Sequence, residues 1–224
     1  MAMRKEDGEV DNSLSLTPEE LLTTTRVVRK RLDLRRPVER EVLEECLAVA
    51  VQAPTASNRQ EWHWVFVTEA GTKQALADLY RRDDPDYRRL PTPEFGPDDA
   101  RASRAAAVQS SAGFLREHLH EAPVLLVPCH LGRVDDAPIA TQAALWGSLL
   151  PAVWSFLLAL RSRGLGAAWT TLHLRFEREA ADLLGIPYHT HTQGGLFPIA
   201  YTKGTSFHPA PRRPLSEIIH WERW

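Results

Sequence analysis

Cysteine is scarce in this 224-residue sequence, which has only Cys46 and Cys129, far apart in the chain and outside any CxxC pair. Each lies among apolar residues, which favours buried free thiols and argues against a disulfide framework. Free thiols are typical of a reducing compartment. Residues 1–13 are polar and mixed in charge, so no signal peptide is visible. We therefore expect a cytoplasmic protein.

An excess of charge is also missing, since the formal net charge at pH 7 is −2. Such a chain has no general attraction for nucleic acid or for an anionic membrane, so neither is expected as a partner. The sequence has no internal repeat, no low-complexity tract and no linker that would divide domains. We expect residues 1–13 to be a disordered lead and residues 14–224 to form a single domain.

Several binding and catalytic motifs are absent. The sequence has no GxGxxG or GxxxxGK[ST] phosphate-binding loop and no GxSxG nucleophile motif. The closest histidine pairs, His118/His120 and His189/His191, have no Cys, His or Asp cluster beside them, and the second pair falls in a predicted loop. The sequence therefore predicts no metal site.

Residues 137–160 form a charge-free, apolar run that is long enough to span a bilayer. The run contains four polar residues and a central Pro151, and it is rich in alanine, which is only weakly apolar. These features favour a buried central helix of a globular protein, or a helix in a dimer interface, over a membrane span.

Apolar spacing and turn residues predict alternating helices and strands along the rest of the chain. The predicted helices cover residues 37–51, 71–80, 98–120 and 176–184, and the predicted strands cover residues 62–68, 123–128, 165–172 and 194–203. A capping box at Thr17 begins a short helix before them. This alternation predicts one layered α/β or α+β domain.

Two segments are candidate ligand sites. The turn at residues 53–58, APTASN, offers hydroxyls, an amide and free backbone N–H groups, which let a flat polar ligand approach the backbone. Its alternative is a capped helix-to-strand loop. The basic segment at residues 25–31, TRVVRKR, is either a solvated loop or an anion site whose guanidiniums clamp a phosphate. Spacing alone favours the structural interpretation of both.

The order of the segments adds a further signal. TRVVR precedes a helix that ends in APTASNRQEW, and much later come GLGAAWTT, LGIP, FPIAY and RRPL. From residue 23 onward this order resembles the nitroreductase family of FMN-dependent oxidoreductases. The resemblance implies an α+β layered fold with a mixed sheet flanked by helices. It also implies an intertwined homodimer with two FMN molecules in the interface and a C-terminal tail that extends over the partner.

The resemblance also implies which residues bind FMN. These are Thr25, Arg26, Val27, Val28 and Arg29 in the basic segment, Pro54, Thr55, Ala56 and Asn58 in the turn, Thr170 and Thr171 after GLG, and Arg212 and Arg213 near the C-terminus. Thr25 and Val27 depart from the family pattern, which usually has Arg and Ser there.

Each group has an implied role. By resemblance, Arg26 and Arg212 would share the FMN phosphate, and Arg29 would lie near flavin N1 and O2, where a cation stabilises the anionic reduced flavin. The backbone N–H groups of Thr170 and Thr171 would face flavin N5 and O4. The turn would contact the isoalloxazine of the second subunit.

The implied activity is reduction of FMN by NADPH or NADH, followed by ping-pong transfer to a small-molecule acceptor such as a nitroaromatic, a quinone or a flavin. No catalytic side chain is expected. The alternatives are a flavin-dependent dehydrogenase or desaturase of a small organic metabolite, and a non-catalytic flavin-binding protein. Residues 80–120 are expected to choose the acceptor. The candidate pocket residues are Tyr87, Phe95 and Phe114 as a roof and Trp154 or Trp169 as a wall.

Overall fold

The structure is a computed structural model that describes residues 13–82, 94–96, 99 and 101–224. The predicted disordered lead, residues 1–13, lies outside these ranges apart from Ser13. Tyr87, predicted to roof the pocket, also lies outside them.

The described residues form a five-stranded sheet. Its strands are β1 (Trp62–Val67), β2 (Val124–Leu131), β3 (Leu165–Ala167), β4 (His191–Gln193) and β5 (Phe197–Tyr201). The order is β1-β2-β5-β3, with β4 also paired to β2. Strand β5 is buried along its whole length and β2 along all but its last residue, because helices cover both faces of the sheet.

The sheet differs from the sequence predictions in its pairing and in several strand bounds. All described strand pairings are antiparallel, so a mixed sheet would need a parallel strand from outside these five. Strand β3 ends at Ala167, five residues before the predicted end, although an isolated bridge between Thr170 and Leu196 continues its register. His191, predicted to lie in a loop, begins β4 because its segment continues the ladder along β2.

Six α-helices are described. They are α1 (Pro18–Thr24), α2 (Arg40–Ala50), α3 (Ala70–Arg81), α4 (Ala105–His118), α5 (Ile139–Ser162) and α6 (Glu177–Leu184). The capping box at Thr17 is present, with the Glu20 N–H donating to the Thr17 hydroxyl and the Thr17 N–H donating to the Glu20 carboxylate. The predicted α+β layered fold is confirmed.

Helix α5 is the 24-residue centre of the fold. Leu149, Phe156 and Leu160 are fully buried in a core shared with α2 and the sheet. Among the described helices it is the one whose length and composition would allow a membrane span, and 44% of its most apolar window is buried within the chain. The core helix of a globular protein meets the same criteria, as the sequence analysis expected.

The two cysteines are free and buried, as predicted. Burial raises the pKa of the Cys46 thiol to about 11 and that of the Cys129 thiol to about 12. By contrast, the C-terminal tail exposes apolar residues, including Trp221, which is 85% exposed. The chain itself therefore leaves the tail's apolar side chains uncovered.

Candidate functional site

The basic segment runs directly beside β3. The Thr25 hydroxyl donates to the carbonyl of Leu21 and closes α1, and the Val28 N–H donates to the carbonyl of Ala167 at 2.9 Å. This close approach requires Gly166, because a Cβ there would lie 2.9 Å from Val28 Cγ2. Small residues in β3 therefore bring the basic segment against the sheet.

A cavity of about 80 Å³ lies between this segment and α5. Its lining contains two guanidinium side chains, two tryptophans and no carboxylate. The lining residues are Thr24, Thr25, Arg26, Val27, Val28, Trp154, Leu157, Arg161, Leu165, Gly166, Ala167, Trp169 and Phe207. The cavity is therefore apolar in its walls and cationic in charge, and at this volume it would hold one edge of an aromatic ligand with an anionic group.

Three arginines gather where the basic segment opens to the surface. Burial lowers the pKa of Arg26, and the positive charges of Arg104 and Arg212 lower it further. The Arg26 Nη1–H donates to the carbonyl of His208 at 2.7 Å. Within the described ranges, no carboxylate lies within ion-pair distance of any of these three guanidiniums. Their mutual repulsion makes this arginine cluster a favourable place for a multiply charged anion.

The two candidate arginines of the tail differ in their surroundings. Arg212 donates to the carbonyl of Pro211 and contributes its charge to the arginine cluster. Arg213 donates to the Glu217 carboxylate at 2.9 Å. Arg212 therefore has the more available guanidinium.

Other predicted contacts lie elsewhere. Arg29 does not line the cavity, and its Nη1–H donates to the Ser111 hydroxyl on α4 at 3.1 Å. Phe95 lies under the guanidinium of Arg101, and Phe114 packs on α4. Phe95 and Phe114 therefore do not line this cavity, and their place over the acceptor pocket stays a prediction.

The strand end after Ala167 offers one N–H rather than two. The Thr170 N–H and hydroxyl both donate to the carbonyl of Leu196, at 3.0 and 2.9 Å. The prediction that Thr170 presents its N–H to a ligand is therefore wrong in this structure. The Thr171 N–H has no partner in the described part of the chain, and Thr171 is exposed.

Trp169 presents a fixed aromatic wall to the cavity. Its Nε1–H donates to the carbonyl of Gly194 at 3.0 Å, and its ring stacks on Phe197. Gly195 has φ +140°, and a Cβ there would lie only 2.4 Å from the indole nitrogen. The indole is 41% exposed, so one part of it remains available to a ligand.

The turn after α2 holds an unusual backbone. Ser57, Asn58 and Gln60 all have positive φ, at 54°, 54° and 53°, although none is glycine. Such residues cost on the order of 1–3 kcal/mol each and are concentrated at ligand sites. The Gln60 N–H donates to the Thr55 hydroxyl at 3.2 Å, and Gln60 Nε2 donates to the Asn58 amide oxygen.

The turn lies apart from the cationic cavity. None of the predicted turn residues lines that cavity. Pro54 lines an open groove beside α5, and Ala56 lines a second cavity of about 200 Å³ together with His130 and Arg59. A single chain therefore does not unite the turn with the basic segment.

The described residues contain no cluster of three or more His, Cys, Asp or Glu side chains that could hold a metal ion. The closest histidine contact joins His63 and His191, whose ring centroids are 4.9 Å apart. Burial lowers the pKa of His191, and the charges of His63 and His130 lower it further. His191 therefore favours the uncharged state.

Comparison with known proteins identifies the family. The family model described as "Nitroreductase family" matches residues 23–201, which is most of the chain. The chain belongs to the nitroreductase family. It is therefore an oxidoreductase by family, as the sequence analysis predicted.

Individual members of this family resemble the chain over almost its whole length. A protein of Archaeoglobus fulgidus described as an NADH dehydrogenase/NAD(P)H nitroreductase is 26% identical over 207 residues, which are 91% of this chain and 97% of the relative. The FMN- and NADPH-dependent nitroreductase NfnB of Sphigopyxis sp. strain HMH superposes with a TM-score of 0.67 at 24% identity, covering 93% and 100% of the two chains. An iodotyrosine deiodinase bound to FMN and 3-iodo-L-tyrosine gives 0.64 at 22% identity, covering 92% and 98%. These structural likenesses support the nitroreductase fold.

Two charged residues of this nitroreductase-family chain were missed by the sequence analysis. Arg104 precedes α4 and joins the arginine cluster. Arg161 follows the apolar run of α5 in sequence, as a cation in the last turn of a helix would, yet it is only 5% exposed. Its Nη2–H donates to the carbonyl of Thr205, whereas Nε and Nη1 have no partner among the described residues. Only the packing of the tail segment over α5, with Phe207 against the guanidinium, reveals its burial.

Proposed function

We propose that the chain is an FMN-dependent oxidoreductase in which NADPH or NADH and a small electron acceptor use the same open face in turn. The observation that carries the proposal is the arginine cluster of Arg26, Arg104 and Arg212, which has no described carboxylate partner and adjoins a cavity walled by Trp169. This combination fits a flat aromatic ring system joined to a phosphate.

The chemistry of the chain's own residues fits FMN. Three guanidiniums suit a phosphate dianion, because charge-assisted hydrogen bonds to phosphate are strong and geometrically specific. Arg26 and Arg212 would hold the phosphate, and the exposed Thr171 N–H would orient the ring edge. Trp169 would exclude water from one side. When bound, FMN supplies the acceptance and donation of hydride.

Thr25 and Val27 are compatible with this assignment in different ways. The Thr25 hydroxyl is occupied by the carbonyl of Leu21, so Thr25 would contribute shape rather than a phosphate contact. Val27 is half-exposed at the cavity and would pack against the ligand through its methyl groups. The phosphate would therefore depend on Arg26, Arg104 and Arg212.

We further propose that the site is completed by a second copy of the chain. The turn residues Pro54, Thr55, Ala56 and Asn58 would approach the flavin of the partner, since they lie apart from the cationic cavity of their own chain. The exposed Trp154 of α5 and the apolar tail would then be covered in the homodimer. Residues 14–224 would act as one domain, preceded by the lead, in the cytoplasm.

The first test is the visible spectrum of the purified protein with added FMN, before and after anaerobic NADPH or NADH. Bound flavin that bleaches with either nucleotide supports the reductase, and nitroaromatic, quinone and flavin acceptors are then compared by their reoxidation rates. Bound flavin that bleaches only with an organic donor would support a dehydrogenase instead. Absence of flavin binding would contradict both.

The phosphate assignment has its own test. Arg212→Ala is expected to raise the Kd for FMN about tenfold or more, because it removes a charge-assisted contact worth about 1.5–3 kcal/mol. Arg213→Ala should change it less, since Arg213 is paired with Glu217. Arg40→Ala, on the exposed side of α2 and paired with Glu44, is the control. Equal or reversed effects of the two tail variants would contradict the assignment.

A further inference from the structure

We propose that Ser148 on α5 is a positioning residue that fixes the turn carrying Ala56 and Asn58 for contact with the flavin. The proposal rests on the proposed function, because the flavin is the ligand that the turn would meet. It assigns a role to a residue that no sequence motif singled out.

The turn needs an external support because its backbone is strained. Three of its residues, Ser57, Asn58 and Gln60, are held at positive φ without being glycine. Backbone in this region persists only where surrounding contacts over-determine it. The hydrogen bonds from Gln60 to Thr55 and Asn58 lie within the turn and move with it, so they cannot fix it relative to the sheet.

Ser148 connects the turn to the central helix at both ends. Its Oγ accepts the Ala56 N–H at 3.0 Å and donates to the carbonyl of Ala144 at 2.7 Å. Its backbone carbonyl accepts the Trp62 Nε1–H at 2.9 Å, where β1 begins. One helical residue therefore holds the chain before and after the strained backbone.

The hydrogen bond at Ala56 lies beside a cavity. Ser148 is 2% exposed, yet Ala56, Arg59 and Ser148 line the cavity of about 200 Å³ that lies next to the turn. The Ser148 hydroxyl therefore connects the Ala56 backbone directly to α5 at the edge of this cavity.

Two substitutions distinguish the hydrogen bond made by the Ser148 hydroxyl from the space that its side chain fills. Ser148→Cys keeps a side chain of similar shape but replaces oxygen with sulfur, which is a weak acceptor. Ser148→Thr keeps the hydroxyl, which can still bond a carbonyl of the preceding helical turn. Ser162→Ala is the matched control, because the Ser162 hydroxyl also donates to a carbonyl of α5, that of Ala159, but accepts no N–H from the turn.

The measurements are amide hydrogen exchange in a peptide covering residues 53–61 of the FMN-free protein and the Kd for FMN by fluorescence quenching. Ser148→Cys is expected to speed exchange in this peptide and raise the Kd about tenfold, since the partly buried hydrogen bond from the Ala56 N–H is lost. Ser148→Thr and Ser162→Ala should keep both the exchange rate and the Kd within about threefold of the wild type. Each variant retains a hydroxyl at position 148 that can accept the Ala56 N–H.

The two proposals fail in different ways. If Ser148→Cys leaves both exchange and Kd unchanged in a protein that binds FMN, or if Ser148→Thr is as impaired as Ser148→Cys, Ser148 does not position the turn through its hydroxyl. If the wild-type protein binds no FMN, the proposed function fails, and the link between the turn and the flavin fails with it.

Discussion

Acid should destabilise this fold through one buried histidine next to the candidate site. His173 lies in the 3₁₀ segment that follows Thr171 and is completely buried. Its Nε2–H donates to the Gln193 amide oxygen at 3.3 Å, because the Gln193 amide nitrogen is used to donate to the carbonyl of Glu177. Its Nδ1 has no partner in the described part of the chain. Burial lowers the pKa of His173 to about 4.

The sign and size of the effect follow from this pKa. An unfolded histidine has a pKa of about 6.5, so as the pH falls the unfolded state takes up a proton before the folded state does. The contribution of His173 is therefore fully present above pH ~6.5 and is lost between about pH 6.5 and 4. A difference of about 2.5 pKa units at 1.36 kcal/mol each amounts to about 3 kcal/mol.

The assay is urea unfolding at pH 7, 6, 5 and 4, with the free energy of unfolding compared between the wild type and His173→Gln. Glutamine cannot take up a proton, so the variant should lose about 3 kcal/mol less than the wild type between pH 7 and pH 4. His220→Gln, an exposed substitution in the tail, is the control and should follow the wild type. Parallel pH profiles for the wild type and His173→Gln would refute the reasoning.

Two further predictions concern the walls of the cavity. Arg161→Met should raise the free energy of unfolding of the FMN-free protein by about 1 kcal/mol, measured by urea unfolding. Replacing a buried, incompletely hydrogen-bonded charge with an apolar side chain of similar length is neutral or stabilising. A clear loss of stability would show that the hydrogen bond of Arg161 to Thr205 and its contact with Phe207 matter more. Gly195→Ala should cost about 2 kcal/mol or more and shift the fluorescence of Trp169, because the new Cβ would overlap the indole; wild-type stability and an unchanged spectrum would contradict the contact.

The sequence was most informative where local chemistry determines local structure. The Thr17 capping box and the β-branched, aromatic run of β1 predicted elements whose type is confirmed and whose bounds agree within a residue. It was least informative where a distant contact prevails. The segment predicted as a strand at residues 165–172 pairs continuously with β5 only as far as Ala167, and no pattern within the segment indicates this break before the bridge at Thr170.

The residues of the candidate site likewise include some that the sequence predicted and others that only tertiary packing reveals. Arg26 and Arg212 were paired through resemblance, and the structure brings their charges close together. Ser148 lies 92 residues from Ala56 in sequence, so its role depends on tertiary packing. Arg161 had the sequence features of a helix-terminal cation, and burial by the tail segment carrying Phe207 could not be inferred from its neighbours. Side chains that act across the fold thus escaped the sequence analysis.

The two buried thiols should not react with thiol-labelling reagents while the chain is folded. With a pKa of about 11, the Cys46 thiol is deprotonated in about one molecule in ten thousand at pH 7, and Cys129 in fewer. Alkylating reagents attack the thiolate, so both native cysteines should remain unmodified while the fold is intact. A cysteine introduced at exposed Ser57 would then be the reactive one. A fluorophore attached there would report movements of the strained turn without removal of either native cysteine.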